Sequence, residues 1–414
     1  MRHTIIPAIF FASAVLALMI AGSSLHAQTF TVLHNFTGGG DGARPYAGLT
    51  IDAAGNLYGT TEYGGNGNFG TVFKLTPRGS GWVLNPLYSF QGGSEGQNPQ
   101  DRVSIAPNRT LYGTTSAGGT GGFSCPSPSG CGTIFHLVPP PRACTTALCP
   151  WSETVLYRFD PNIGGSPGLG SLTFDQSGNL YGTQLGNMGT SGEVYELAFS
   201  NGQWTFQVLS SFSSGETDNP DGGVIFDSAG NLYGTSVGAP FMHGAVFELT
   251  SDGQLWSENT LWDFCGGGGN DGSNPVAGLI FDPFGNLYGT TQGACDQGAG
   301  AVYALMRQSG SWTESVLHLF TGSDGASPSG TLTIDSAGSL YGTTAAGGQH
   351  SLGTVFKLSP SGGQWILTDL HDFDGSDGSS PVSSNVVLDA HGNLYGTTSQ
   401  GGAFGQGVVW KINP

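Results

Sequence analysis

Residues 52–75 read DAAGNLYGTTEYGGNGNFGTVFKL, with the apolar stretch Leu49-Thr50-Ile51 immediately before them. The tetrapeptide LYGT at the centre starts at Leu57 and recurs at Leu111, Leu180, Leu232, Leu287, Leu340 and Leu394, with spacings of 54, 69, 52, 55, 53 and 54 residues. A period near 50 marks a repeat architecture. Each copy is followed by G-x-[VI]-[FYW]-x-[LI], beginning at Gly70, Gly132, Gly192, Gly244, Gly300, Gly353 and Gly407. In the first six copies a Leu then stands three residues before a Phe, as in Leu87 and Phe90, with a Trp eight before that Phe, as in Trp82.

Each unit therefore holds four short strand candidates separated by Gly, Pro, Asn and Asp. The first turn is D-x-x-G-N in five of the seven copies. Asp accepts backbone N–H bonds there, and Gly supplies the left-handed residue of a tight hairpin. The strands are apolar at both parities, and Leu and Phe three apart are expected on opposite faces. Sheets buried on both faces must be sandwiched between their neighbours, as in a β-propeller of four-stranded blades. The termini complete the ring: Phe30–Phe36 is an isolated fourth-strand element, and the chain ends after a third-strand element, Gly407–Ile412. The sequence thus predicts an all-β, seven-bladed propeller over residues 28–414, closed by strand 30–36 pairing with the C-terminal blade.

Arg2 and His3, the apolar run Ile5–Ile20 and the small residue Ala27 read as a secretory signal peptide over residues 1–27, cleaved near Ala27. The expected location is the medium or periplasm, with no membrane span in the mature chain. Glycine contributes 72 of 414 residues without a three-residue period, which excludes collagen. Lys and Arg number 11 against 29 Asp and Glu, a net charge of −18. That balance argues against nucleic-acid partners and anionic-lipid anchoring.

The 69-residue spacing arises from two longer loops in copy two, which hold Cys125 and Cys131, and Cys144 and Cys149. Cys265 and Cys295 lie in two loops that a propeller places on one face. An even count in a secreted chain predicts disulfides 125–131, 144–149 and 265–295. The cysteines form local pairs without C-x-x-C, so no metal site is expected.

Motifs that carry chemistry are sparse. No G-x-S-x-G, H-E-x-x-H, P-loop or EF-hand string occurs. The loop leading into strand one contains D-G-x-x-P at Asp41, Asp271, Asp324 and Asp377. The favoured reading is a turn with Asp as local acceptor; the alternative is a ring of carboxylates for Ca²⁺. Glu62, Tyr63 and Asp296 occupy strand two–three loops and join those four aspartates as candidate ligand-binding residues. His34, His318 and His371 share one fourth-strand slot with Tyr88, Tyr157 and Trp262, which favours an amphipathic strand residue over a catalytic row.

The string [NS]LYGTTxxGG…GTVFKL, clearest at Asn56–Leu75 and Ser339–Leu358, resembles the GloVer-type tandem repeat of bacterial secreted and surface proteins. The resemblance spans the mature chain and implies a propeller-like repeat with no known enzymatic activity. Family members often carry a C-terminal anchoring segment; none is seen here, so release is expected. A weaker similarity extends to propeller lyases such as virginiamycin B lyase and to the kelch group, without the W-D and kelch signatures. The reading is a monomeric binding or scaffold module for an extracellular glycan or protein, with no cofactor required. The alternative is a hydrolase or lyase acting on an extracellular polysaccharide.

Overall fold

The computed structural model describes residues 28–122, 125, 129–141, 150–160, 165–186, 191–212, 218–238, 243–266, 271–295, 298–308 and 310–413. The signal-peptide expectation, the pair Cys144–Cys149 and Asp296 lie outside the described residues.

The strands form seven sheets of four antiparallel strands each, the blades of a β-propeller. In blade one they are Thr50–Ile51, Leu57–Thr61, Thr71–Arg78 and Gly81–Ser89, hydrogen-bonded in that order. Blades two to six begin at Ser104, Thr173, Pro220, Ile280 and Thr333. In blade seven, Val387–Leu388, Leu394–Thr398 and Val408–Asn413 are completed by Thr29–Asn35 from the other end of the chain. Phe30 faces Ile412 and Asn35 faces Val408 in that pairing. The ring closes as the termini predict.

The core is divided among seven clusters, each spanning a seam between two blades. Across the seam from blade seven to blade one, Tyr395 and Val409 meet Leu49, Leu57, Phe73 and Leu75. Val72, next to Phe73, packs instead into the following seam with Leu111 and Phe135. Strand three therefore buries both its faces, and its alternating apolar residues serve two different cores.

The Gly of LYGT follows from this packing. The strand-three aromatic lies over it, so a Cβ on Gly59 would stand 2.6 Å from Phe73 Cζ, and one on Gly342 2.6 Å from Phe356 Cζ. The recurring Trp is a seam residue: Trp82, Trp204, Trp312 and Trp365 each meet the LYGT tyrosine of the preceding blade edge-on, with ring centroids 5.7–6.2 Å apart.

One sequence inference is corrected. Leu87 and Phe90 do not point to opposite faces, because both belong to the same seam cluster. A β-bulge explains it: Val72 pairs with Tyr88 and Phe73 with Pro86, so Leu87 is the extra residue. An inserted residue reverses the alternation beyond it. A register shift recurs at the corresponding place in every blade.

Candidate functional site

The D-G-x-x-P aspartates sit at the outer part of one face, beside the fourth strands. His34 Nε2 donates to Asp41 Oδ2 at 3.0 Å, His318 to Asp324 at 2.9 Å and His371 to Asp377 at 2.7 Å. Trp262 Nε1 donates to Asp271 at 3.0 Å, and in blade one Tyr88 OH donates to Glu95 at 2.9 Å. In five blades the slot shared by His, Tyr and Trp thus donates to the acid of the following loop, whereas Tyr157 stacks on Phe206. The turns add their own donors, such as the Thr37 and Thr321 N–H groups on Asp41 and Asp324. Burial pushes the Asp41 and Asp324 carboxyls up. The hydrogen bonds from Thr37 or Thr321 and from the histidines outweigh it and leave both below the ordinary value. These four candidates are distributed over four seams and act as turn acceptors.

Cys125–Cys131 and Cys265–Cys295 are disulfides as expected. Asp271 lies close to the second, with Oδ1 3.2 Å from Cys295 Sγ. Both sulfurs there are engaged in the S–S bond, so the group offers a metal one carboxylate. Tyr63 lies under the Arg44 guanidinium, 5.4 Å from its ring centroid. Glu62 accepts at 2.9 Å from Nε2 of Gln100, a residue of the loop that leads into the next blade.

The loops leading into strand one converge at the propeller axis. A cavity of about 60 Å³ is lined there by residues of all seven blades, among them Gly48, Arg102, Ser171, Val224, Gly278, Thr331 and Asn385. The incoming loops can be aligned on the buried apolar residue at Leu49, Val103, Leu172, Val224, Leu279, Leu332 and Val386. The residue before it is small or neutral in every copy except Arg102. Two before, it is Ala, Gly or Ser except at Asp101. Three before, Asp221 is the charged residue, among Tyr46, Gln100, Leu169, Val276, Ser329 and Ser383.

These charges are held by neutral partners. Arg102 Nε donates to Ser171 Oγ at 3.0 Å. Asp101 Oδ2 accepts from Thr114 Oγ1 at 3.1 Å, and Asp221 Oδ1 from the Leu169 N–H at 2.8 Å. Asp101 and Asp221 are 4% and 7% exposed. Burial pushes Asp101 up to about 7; Thr114 and Arg102 oppose the rise and Asp221 reinforces it. Burial pushes Asp221 up to about 6, against the Leu169 hydrogen bond. Tyr46 is raised by burial and by the negative charge of Glu62 and Asp221, and it hydrogen-bonds Ser383 at the mouth. Asn385 is 4% exposed, and its Oδ1 has no hydrogen-bond partner.

Asp101, Arg102, Asp221 and Tyr46 are absent from the sequence-derived candidates. The signal that finds them is departure from the repeat at positions otherwise kept small. A groove of about 720 Å³ at the other end of the first and last blades has weaker credentials. Its walls are the recurring D-x-x-G turns, whose acids Asp52 and Asp389 are occupied by their own Asn56 and Asn393.

The sequence profile of the Gloeobacter/Verrucomicrobia repeat matches residues 22–238 and again residues 235–414. The chain belongs to this repeat family. No curated protein matches it significantly in sequence. Among solved structures, this Gloeobacter/Verrucomicrobia repeat protein is similar to the polysaccharide lyase Uly1, with TM-score 0.51 and 12% identity over 89% of each chain. It is similar to the extracellular domain of a protein named as a hybrid two-component system from B. thetaiotaomicron, with TM-score 0.53, 11% identity, and coverage of 92% of this chain and 39% of that one. A protein named as a 6-phosphogluconolactonase, from Bacteroides fragilis, gives TM-score 0.50 and 17% identity over 79% of this chain and 83% of its own. At these identities the likeness is one of fold.

Proposed function

We propose that this propeller is a recognition module of the cell exterior, binding an extracellular glycan or protein on the face that carries the axial cavity. The observation behind it is the placement of Asp101, Arg102 and Asp221 where the repeat otherwise keeps small or uncharged residues. Charge buried at the axis costs stability unless something uses it. Variable side chains on a rigid repeated frame are the usual design of a binding surface. The two described disulfides favour an oxidising compartment, in keeping with cleavage near Ala27. Among the described residues no helix is long and apolar enough to cross a membrane.

A second reading rests on Asp101. A carboxyl held near pH 7 beside a guanidinium suits general acid–base catalysis, so a hydrolase or lyase acting on extracellular polysaccharide is the alternative. One experiment separates the two: a glycan array probed with the full chain, with products analysed from the same incubation. Retention of a ligand without cleavage supports the module. Shortening of the bound polysaccharide, abolished in Asp101→Asn, supports the enzyme. Absence of any retained glycan removes both glycan readings and leaves a protein ligand.

A further inference from the structure

We propose that the axial cavity is a carboxylate pocket that takes the acid group of a uronic-acid sugar, with Arg102 as its cationic partner. The inference rests on the glycan-binding reading above and names the sugar class.

Arg102 is the cation of the axial ring, partly buried, and among the described residues no carboxylate lies within 4.0 Å of it. Asp101 lies near enough for its charge to act on Arg102, but it forms no ion pair with the guanidinium within 4.0 Å; its Oδ2 accepts from Thr114, and Asp221 Oδ1 accepts from Leu169. Ser171 fixes the guanidinium through Nε. A guanidinium without an acid is a poor occupant of a partly buried site, and its planar fork matches a carboxylate.

Size selects how much of the ligand enters. The cavity of about 60 Å³ compares with roughly 30 Å³ for the share of one water in the liquid. It admits a carboxylate and excludes a sugar ring. The ring must then rest at the mouth, where Tyr46, Gln100, Asp221, Ser329 and Ser383 stand one step outward, with Glu62 beside Gln100. Phenol, amide, carboxyl and hydroxyl groups match the hydroxyls of a sugar. Five of the seven positions at this level are polar and two, Leu169 and Val276, are apolar, a balance that favours a sugar over a peptide C-terminus presenting the same acid. The net charge of −18 opposes a polyanion at long range, but exposed charges are screened beyond about 8 Å at physiological ionic strength.

The test is calorimetric titration of the full chain with galacturonate oligosaccharides, and with the same oligosaccharides after reduction of their carboxyls to alcohols. The expected result is at least tenfold tighter binding of the acidic form. Arg102→Ala should abolish that preference with only a small shift in the melting profile, and Arg102→Lys should retain part of it. Equal binding of both forms, or an unaltered preference in Arg102→Ala, overturns the carboxylate pocket and leaves glycan recognition standing. Binding of neither form, with other glycans retained on the array, overturns the uronate assignment alone; an empty array removes the underlying reading too. Capture of a peptide with a free C-terminus but not of its amide replaces the sugar by a protein ligand. If Arg102→Ala does not fold, the comparison of acidic and reduced sugars on the unaltered chain still decides.

Discussion

At Gly59 and its six counterparts the residue never changes, whereas at Arg102 and its six counterparts the chain places Gly three times and Ser, Thr and Asn once each. The two positions belong to one repeat and lie on adjacent strands or their approaches. The first faces the strand-three aromatic of its own blade, and that aromatic packs into a seam. The second faces the axis. A seam is built seven times from the same two surfaces, so any change there must be matched by both blades. The axis is built once, from seven different side chains, and a change in one copy disturbs only a shared cavity. Invariance in this molecule therefore marks architecture, and departure from the repeat marks the axis, where the proposed ligand would be met.

The harshest way to break the comparison is to remove the seam that the termini make. A chain beginning at residue 37 lacks Thr29–Asn35 and the fully buried Phe36. Loss of one buried Phe side chain costs about 3–5 kcal/mol, and the exposed edge of Val408–Asn413 would invite pairing with other chains. We expect this chain to aggregate, whereas one starting at residue 28 elutes as a single species in size-exclusion chromatography. A monomeric shortened chain with an unchanged denaturation midpoint would show that the ring holds without its closing strand.

A finer cut sets one glycine against one arginine. Gly342→Val places a side chain where Phe356 Cζ and Leu332 Cδ2 already stand 2.6 and 2.9 Å from a Cβ. Overpacking of this kind costs about 3 kcal/mol, read as a fall in the urea midpoint. Arg102→Ala loses the Ser171 hydrogen bond, about 1 kcal/mol, and should shift the midpoint little. Similar losses in both variants would mean that the axis is architecture too.

The same contrast explains what could be read in advance. Blade number, strand identity and the closing strand were legible because LYGT and G-x-[VI]-[FYW]-x-[LI] repeat in register. The bulge at Leu87 was not, since a spacing of three looks the same whether or not a residue has been inserted. The axial group was hidden for another reason. The eye is drawn to D-G-x-x-P because it recurs, yet recurrence at Asp41, Asp324 and Asp377 reflects a turn and a histidine donor. Asp101 and Asp221 occur once each, and their meaning depends on aligning loops of unequal length and knowing that these loops converge. Glu62 accepts from Gln100 of a neighbouring axial loop, but nothing in its spacing distinguishes it from Tyr63.

The gentlest perturbation is protonation, and it discriminates between the two kinds of acid. Asp41, Asp52, Asp227, Asp324, Asp335 and Asp389 are held below their ordinary value: burial acts upward on each, and turn hydrogen bonds more than offset it. They bind fewer protons when folded, so their stabilisation is present above about pH 4 and is lost as pH falls further. Asp101 and Asp221, raised by burial to about 7 and about 6, behave oppositely. The folded chain binds more protons at these sites between about pH 4 and 7, so stability falls as pH rises through that window. Glu153, Glu314 and Asp369, each raised by burial to about 7, add to the same slope. Stability should therefore peak in mildly acidic solution, and the axial share of the decline can be isolated in Asp221→Asn. The amide keeps an oxygen for the Leu169 N–H but carries no charge to bury, so the variant should gain about 3 kcal/mol over the parent at pH 8 and nothing at pH 4, measured by urea denaturation. A gain that is the same at both pH values would mean that Asp221 is destabilising through packing rather than through its charge. A loss at pH 8 would mean that its carboxylate is already compensated at the axis, and the cavity would then have no unmet charge to offer a ligand from that side.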